Sequence, residues 1–240
     1  NVANGQGITL GTLALVDGTG LASNYSLNSA SLNITQKTVN LSGSKIYEAN
    51  TTFDNSIVNI SSGLIGSETL NLTGVVNTNS ANVNTYSASG GTLNGGSTSI
   101  ALADGTNGGL ASNYTINDGV FTITKKTISV SGARLYDATT DAVASDLTTI
   151  SGLVGSETLT LSGSGTLSDA NVADNKTVSL NTLSIADNTG LAANYTLSGG
   201  THQLTVNQRP LNATLSRQYD GTTTSAGSDL SSFDALQGGE

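Results

Sequence analysis

The chain has 240 residues, 36% of them apolar and only 10% charged, and its net charge of −9 leaves just eight Lys and Arg. That balance excludes a polyanion binder, which needs a basic stripe to displace counterions, and it disfavours an anionic membrane surface. Cys is absent, so disulfides, thiolate metal sites and thiol nucleophiles are excluded, while Val, Ile and Leu are too frequent and charges too few for a disordered chain.

In chain order, NVANGQGITLGTLALVDGTGLASNY (1–25) aligns without a gap on NVADNKTVSLNTLSIADNTGLAANY (171–195). Residues 1–36 therefore read as the C-terminal part of a repeat. A complete repeat follows at 37–125, opened by KTVNLSGSKIYEA (37–49), continued by GLIGSETLNLTG (63–74) and carrying a second GLASNY at 109–114. Residues 126–208 repeat the order with KTISVSGARLYDA (126–138), GLVGSETLTLSG (152–163) and GLAANY (190–195). RPLNATLSRQYDG (209–221) opens a further repeat, whose N-terminal part occupies 209–240. So read, the chain begins and ends within a repeat and is expected to be a piece of something longer. Tyr47, Tyr136 and Tyr219 lie 89 and 83 residues apart, and Tyr25, Tyr114 and Tyr195 lie 89 and 81 apart. Such a unit is far longer than a solenoid coil and suits a small autonomous domain.

The local period is two. Val39 and Leu41, Leu159 and Leu161, Val178 and Leu180, Tyr195 and Leu197, and Leu204 and Val206 are apolar at that spacing, with mostly Thr, Ser and Asn between them. Gly-Ser, Asp-Gly and Gly-Gly turns punctuate the runs. The pattern predicts an all-β chain of tandem small antiparallel β-sandwich domains, Ig-like in architecture, forming an elongated rod. A continuous β-solenoid is the alternative. A short helical crossover is expected at AVASDLTTI (142–150), and ITQK (34–37) and ITKK (123–126) read as short linkers.

The order Lys-Thr…Ser-Gly…Tyr-Asp-Gly-Thr-Thr, Gly-Leu-Val-Gly-Ser-Glu-Thr-Leu, Asp-Ala-Asn-Val…Lys-Thr-Val and Gly-Leu-Ala-Ala-Asn-Tyr-Thr-Leu resembles the YDG repeat. That repeat, and the related MBG repeat, occurs in tandem in large bacterial surface and biofilm-matrix adhesins, many similar to filamentous haemagglutinins exported by two-partner secretion. The triplet is intact only at Tyr219-Asp220-Gly221; the other copies read Tyr136-Asp137-Ala138 and Tyr47-Glu48-Ala49. The resemblance implies a secreted, cell-surface stalk serving cell–cell or biofilm-matrix attachment. Its partners would be extracellular polysaccharide or neighbouring cell-surface adhesins, with direct glycan binding by the repeats as the alternative.

The residues themselves favour structural roles. Each Tyr–acid pair reads as a strand-end turn, with the ring in the core and the carboxylate capping the turn backbone; a sugar or ion contact is the rival. Tyr25, Tyr114 and Tyr195 precede Leu27, Ile116 and Leu197 at spacing two and are expected to point inward. Asn24, Asn113 and Asn194 suit a turn or left-handed position, and each opens an Asn-x-Ser/Thr sequon. Glu68, Glu157 and Glu240 recur one per repeat, too far apart for a carboxylate dyad. His202 is the sole histidine, so no Ser–His–Asp set can repeat. No enzyme activity, nucleic-acid partner or membrane span is expected. Nor is a cofactor, apart from an isolated Ca2+ at a domain junction, for example around Asp169, Asp174 and Asp187.

Overall fold

The computed structural model of the protein describes residues 1–89, 92–93 and 97–237. The chain divides into two units, residues 1–124 and 125–240. It is all-β, with several small sheets, none of them closed; the helical residues lie in single 3-10 turns.

The strands of the first unit are β1 (Ala3–Gly7), β2 (Ser31–Ile34), β3 (Lys37–Ile46), β4 (Thr52–Asp54), β5 (Val58–Ser62) and β6 (Leu70–Thr73). They continue as β7 (Val75–Asn77), β8 (Asn84–Ser89), β9 (Thr92–Leu93), β10 (Ser97–Thr98), β11 (Ala101–Asp104) and β12 (Tyr114–Thr124). A five-stranded sheet in the order β5-β3-β12-β8-β9 is accompanied by β10-β7-β4, β11-β6 and β1-β2.

In the second unit the strands are β13 (Lys126–Thr127), β14 (Ser129–Leu135), β15 (Asp141–Val143), β16 (Thr149–Ser151), β17 (Leu159–Ser162) and β18 (Ser164–Thr166). After them come β19 (Ala173–Thr177), β20 (Ser184–Asp187), β21 (Tyr195–Thr196), β22 (His202–Asn207), β23 (Ala213–Leu215) and β24 (Leu230–Phe233). The main sheet runs β16-β14-β22-β19, with β13-β21, β15-β18, β17-β20 and β23-β24 as two-stranded companions.

The sheets are mixed, not purely antiparallel. β12 lies parallel to β3, from Tyr114 opposite Lys37 to Thr124 opposite Ile46, and β22 lies parallel to β14, from His202 opposite Val130 to Asn207 opposite Leu135. Alternation of apolar and polar residues reports which face is buried and carries no information on strand direction. A parallel pair needs a long crossover, and here all the intervening strands of a repeat supply it.

The buried faces follow the period of two. Val39, Leu41, Phe53, Val58, Phe121 and Ile123 form the centre of the first core, and Ile128, Val130, Leu147, Leu204 and Val206 that of the second. Each such side chain contributes about 1.5–3 kcal/mol on burial. The two cores are filled differently. Phe53 meets Phe121 edge-on with ring centroids 5.4 Å apart, and the Lys45 ammonium lies 5.0 Å above the Phe53 ring. The second core has Ala142 in the place of Phe53 and Leu204 in that of Phe121, and it recovers volume with Leu167, Val178 and Leu183. Gly165 makes room for two of them: a Cβ there would lie 2.5 Å from Val178 Cγ1 and 3.0 Å from Leu183 Cδ1.

One local expectation is corrected. Residues 142–150 form no helix; β15 ends at Val143, a turn covers 144–146, and β16 starts at Thr149. The Ala142 and Leu147 spacing belongs to two strands packing on one core. The boundary between the two units, at 124/125, falls within ITKK, whose Ile123 is a buried residue of β12 and whose Lys126 begins β13.

Candidate functional site

The recurring landmarks converge in space. In each complete repeat the Gly-Ser-Glu segment and the Asn-Tyr segment, far apart in sequence, meet through the tyrosine hydroxyl. The approach to the tyrosine is a single 3-10 turn, Ala111–Asn113 or Ala192–Asn194. Its first N–H is capped by an aspartate: Ala111 N donates to Asp104 Oδ1 at 2.8 Å and Ala192 N to Asp187 Oδ1 at 2.7 Å. The turn delivers Tyr114 and Tyr195 into the core, Tyr195 being only 1% exposed.

A buried phenol needs partners for its hydroxyl, and the Gly-Ser-Glu turn supplies two. Tyr195 Oη donates to Glu157 Oε2 at 2.6 Å and accepts from Val154 N at 3.0 Å. Tyr114 Oη donates likewise to Glu68 Oε2 and accepts from Ile65 N at 3.2 Å. The Glu68 carboxylate, assisted by burial, raises the Tyr114 phenol above its usual value, so the proton stays on tyrosine. Threonine pairs fasten the same junction: Thr69 and Thr106 hydroxyls lie 2.8 Å apart, Thr158 and Thr189 hydroxyls 2.9 Å. A Cβ at Gly190 would fall 2.7 Å from Glu157 Oε2, which accounts for the glycine opening Gly-Leu-Ala-Ala-Asn-Tyr.

The Tyr–acid turn is a second shared device. Arg134, 8% exposed, reaches Asp137 Oδ2 at 2.5 Å and also donates to Thr139 Oγ1 at 2.9 Å and to the Thr139 carbonyl at 2.6 Å. Asp137 Oδ1 in turn accepts from Thr139 N at 3.0 Å and Thr139 Oγ1 at 2.9 Å. Ala138 between them stands at φ +59°. The order is Tyr, a capping acid, a left-handed residue, then Thr.

Residues 120–204 match the YDG domain. The matched segment holds both the Tyr136 turn and the Tyr195–Glu157 pair. Comparison of the chain with curated proteins and with solved structures gave no match in either set. The glycine of the YDG triplet has a conformational reason: its counterparts are all left-handed, at φ +59° for Ala49, +59° for Ala138 and +80° for Gly221. An L-residue there costs roughly 1–2 kcal/mol, less the entropy that glycine loses on folding. Ala138→Gly is therefore expected to stabilise the protein by about 1 kcal/mol, read as a rise in melting temperature; an unchanged or lower midpoint would refute the strain.

The turn recurs outside the matched YDG segment with altered parts. Arg217 lies 3.4 Å from Asp220, which caps Thr222 N at 3.0 Å. Lys45 pairs with Glu48 at 3.1 Å, while Asn50 Oδ1 takes over the cap by accepting from Thr52 N at 3.1 Å. The cation stands two residues before the tyrosine in all three copies, a signal present in the sequence as Lys-Ile-Tyr, Arg-Leu-Tyr and Arg-Gln-Tyr. The aspartates Asp17, Asp104 and Asp187 recur ahead of the Asn-Tyr segment in the sequence as well, and Ala22 N donates to Asp17 Oδ1 at 2.6 Å.

The tyrosines differ in depth. Tyr47 is buried, Tyr136 half-buried and Tyr219 97% exposed. Tyr25 is 71% exposed, a correction to the expectation that it points inward. Its counterparts Tyr114 and Tyr195 each bond a glutamate of their own repeat. Asn24, Asn113 and Asn194 end 3-10 turns and have no positive φ, which removes the left-handed assignment. Asn24 is exposed, Asn113 accepts from Val2 N at 3.0 Å, and Asn194 is buried, so the Asn194 sequon is closed in the folded chain. Glu240 lies outside the described residues.

Several of the remaining charged groups are engaged internally. Lys176, 8% exposed, donates to Asp169 Oδ1 at 2.6 Å and to the carbonyls of Asp169 and Asn171, both at 2.8 Å. That bond holds the Asp169 carboxyl below its ordinary range. Asp187 is a cap, Asp174 is exposed, and no group of three or more metal-ligating side chains occurs among the described residues. His202 is buried, with Nε2 2.8 Å from the Leu197 carbonyl and Nδ1 accepting from Val130 N at 3.3 Å, which sets the Nε2–H tautomer. Among the described residues no helix is long and apolar enough to cross a membrane.

Asp146 is part-buried without a full set of partners. Its Oδ2 and Arg134 Nε are buried without a hydrogen-bond partner. Burial raises the Asp146 carboxyl, opposed by the attraction of Arg134. An acid whose folded pKa exceeds its unfolded value binds protons more readily when folded. Its contribution therefore falls as pH rises through that window and is a penalty at neutral pH. Asp146→Asn is expected to raise stability at pH 7 and to flatten the pH dependence of unfolding across the acidic range. A variant less stable at pH 7 would show that the Arg134 attraction wins.

Proposed function

We propose that the chain is a non-enzymatic repeat segment of a secreted bacterial surface adhesin, a tandem array of Ig-like β-sandwich modules that holds a binding region away from the cell. The supporting observation is that the recurring polar residues bond one another: Tyr195 with Glu157, Tyr114 with Glu68, Arg134 with Asp137. Groups spent on identical internal bonds in successive repeats serve a module that must fold every time and need not bind every time. The match of residues 120–204 to the YDG domain supports the same reading. Antibody raised against residues 37–208 should label intact, unpermeabilised cells that express the gene, and in-frame deletion of those residues should weaken attachment. Labelling confined to permeabilised cells would overturn the proposal.

A second reading is that the repeats bind exopolysaccharide directly. It is favoured by a shallow cavity of about 250 Å3 lined by Tyr136, Gln208, Arg209 and Gln237 among others. An aromatic edge, a guanidinium and two amides suit sugar hydroxyls. Glycan-array binding that Arg209→Ala abolishes would favour it over a spacer role.

A further inference from the structure

The Tyr47 turn of the first complete repeat carries three reactive groups that the second repeat does not combine. Lys45, Glu48 and Asn50 stand where Arg134, Asp137 and Thr139 stand in the second. An amine, a carboxylate and a side-chain amide in mutual contact are the parts needed to join lysine to asparagine. The second repeat cannot do the same: a guanidinium stays protonated, and threonine offers no acyl carbon.

The geometry is built around Lys45 Nζ. The side chain is 6% exposed and lies against the Phe53 ring, 5.0 Å from its centroid. Nζ donates to the carbonyl oxygens of Asn50 at 3.0 Å and Thr52 at 2.7 Å, and also to Asn50 Oδ1. These bonds hold the nitrogen beside the amide, and such positioning supplies much of the acceleration in intramolecular reactions. Thr52 N donates to the same Asn50 Oδ1 at 3.1 Å, which polarises the carbonyl and stabilises charge developing on its oxygen. Glu48 Oε1, 3.1 Å from Nζ, is within reach of its protons. Ala49, at φ +59°, folds the chain so that the residues on either side of it both return to Nζ. Glu48 and Asn50 are exposed residues, so a leaving group released there reaches solvent.

We propose that Lys45 and Asn50 join in an intramolecular isopeptide bond, with Glu48 carrying the protons. Nζ gives one proton to Glu48, and its freed electron pair bonds Asn50 Cγ. The tetrahedral centre collapses with cleavage of the Cγ–Nδ2 bond. Glu48 passes that proton, and then a second one taken from Nζ, to Nδ2, which departs as ammonium. The carboxylate is regenerated, the new amide keeps one N–H, and no co-reactant is consumed. The bond ties the end of β3 to the approach to β4. It closes a short loop, so it fixes the turn more than it restricts the unfolded chain. It does not depend on the attachment role proposed above.

The test is the mass of the folded 240-residue chain, incubated until it no longer changes. Wild type should weigh one ammonia less than its sequence, a deficit of about 17 Da. Trypsin does not cut after an acylated lysine, and between Lys37 and Lys125 the sequence has no Lys or Arg except Lys45, so residues 38–125 should stay one peptide. Lys45→Arg and Asn50→Thr each import the second repeat's residue and should show the full mass, with cooperative melting as the folding control. Glu48→Gln should slow the loss of ammonia about a hundredfold. Wild type at its full sequence mass, or cut to completion after Lys45, overturns the proposal. So does a deficit that persists in Lys45→Arg or Asn50→Thr, and a Glu48→Gln variant reacting at the wild-type rate overturns the part given to Glu48.

Discussion

Tyr195→Ala is expected to remove about 5 kcal/mol from the second repeat, a buried aromatic ring together with a charge-assisted hydrogen bond. A domain of this size is worth roughly 5–15 kcal/mol in all, so the variant should be largely unfolded near physiological temperature. Tyr195→Phe separates the two contributions. It keeps the ring and deletes only the bonds to Glu157 Oε2 at 2.6 Å and from Val154 N at 3.0 Å. About 2 kcal/mol should be lost, or roughly 10 °C in melting temperature for a unit of this length. Calorimetry provides an internal reference, because the Tyr114–Glu68 pair of the first repeat is untouched. If Tyr195→Phe melts with wild type, the tyrosine is held by packing alone and the pairing of the two landmarks is incidental.

Arg134→Ala should cost about 3 kcal/mol. The guanidinium is nearly buried and serves Asp137, the Thr139 hydroxyl and the Thr139 carbonyl together. Its removal also leaves Asp146 buried without the Arg134 attraction that opposes its desolvation. Arg134→Lys should recover part of the loss, since Lys45 serves the equivalent turn in the first repeat by bonding Glu48 at 3.1 Å and the Thr52 carbonyl at 2.7 Å. Full recovery is not expected, as an ammonium lacks the planar fork that reaches side chain and backbone at once. The readout is the urea midpoint; equal midpoints for Arg134→Ala and wild type would reduce the turn to a surface feature.

Much of the fold was legible because one buried face imposes a period of two, and Val39, Leu41, Val130, Leu204 and Val206 are all core residues as that period requires. Direction was not legible. Nothing in the alternation of β3 and β12 distinguishes a parallel neighbour from an antiparallel one, and the helix expected at 142–150 arose from reading two short strands as one amphipathic run. The landmarks stood out by repetition, yet repetition could not disclose that two of them bond each other, since Glu157 and Tyr195 are brought together only by the sheets between them. The cations at positions 45, 134 and 217 stand two residues before each tyrosine, a spacing that by itself does not show that the charge turns back onto the acid beyond it.

The parallel pairing of the first and last strands of a repeat has a mechanical consequence. β14 leads into the repeat and β22 leads out of it, side by side and pointing the same way. Tension drawn through the two ends of the repeat therefore slides one strand along the other, so that six successive residue pairs from Val130–His202 to Leu135–Asn207 resist together. An antiparallel arrangement with both ends on one side would open like a zipper, one pair at a time. Rupture under force is governed by the unfolding rate and not by equilibrium stability, and shear raises the barrier for the first step. Resistance of the repeat to pull is thus separable from its free energy of folding.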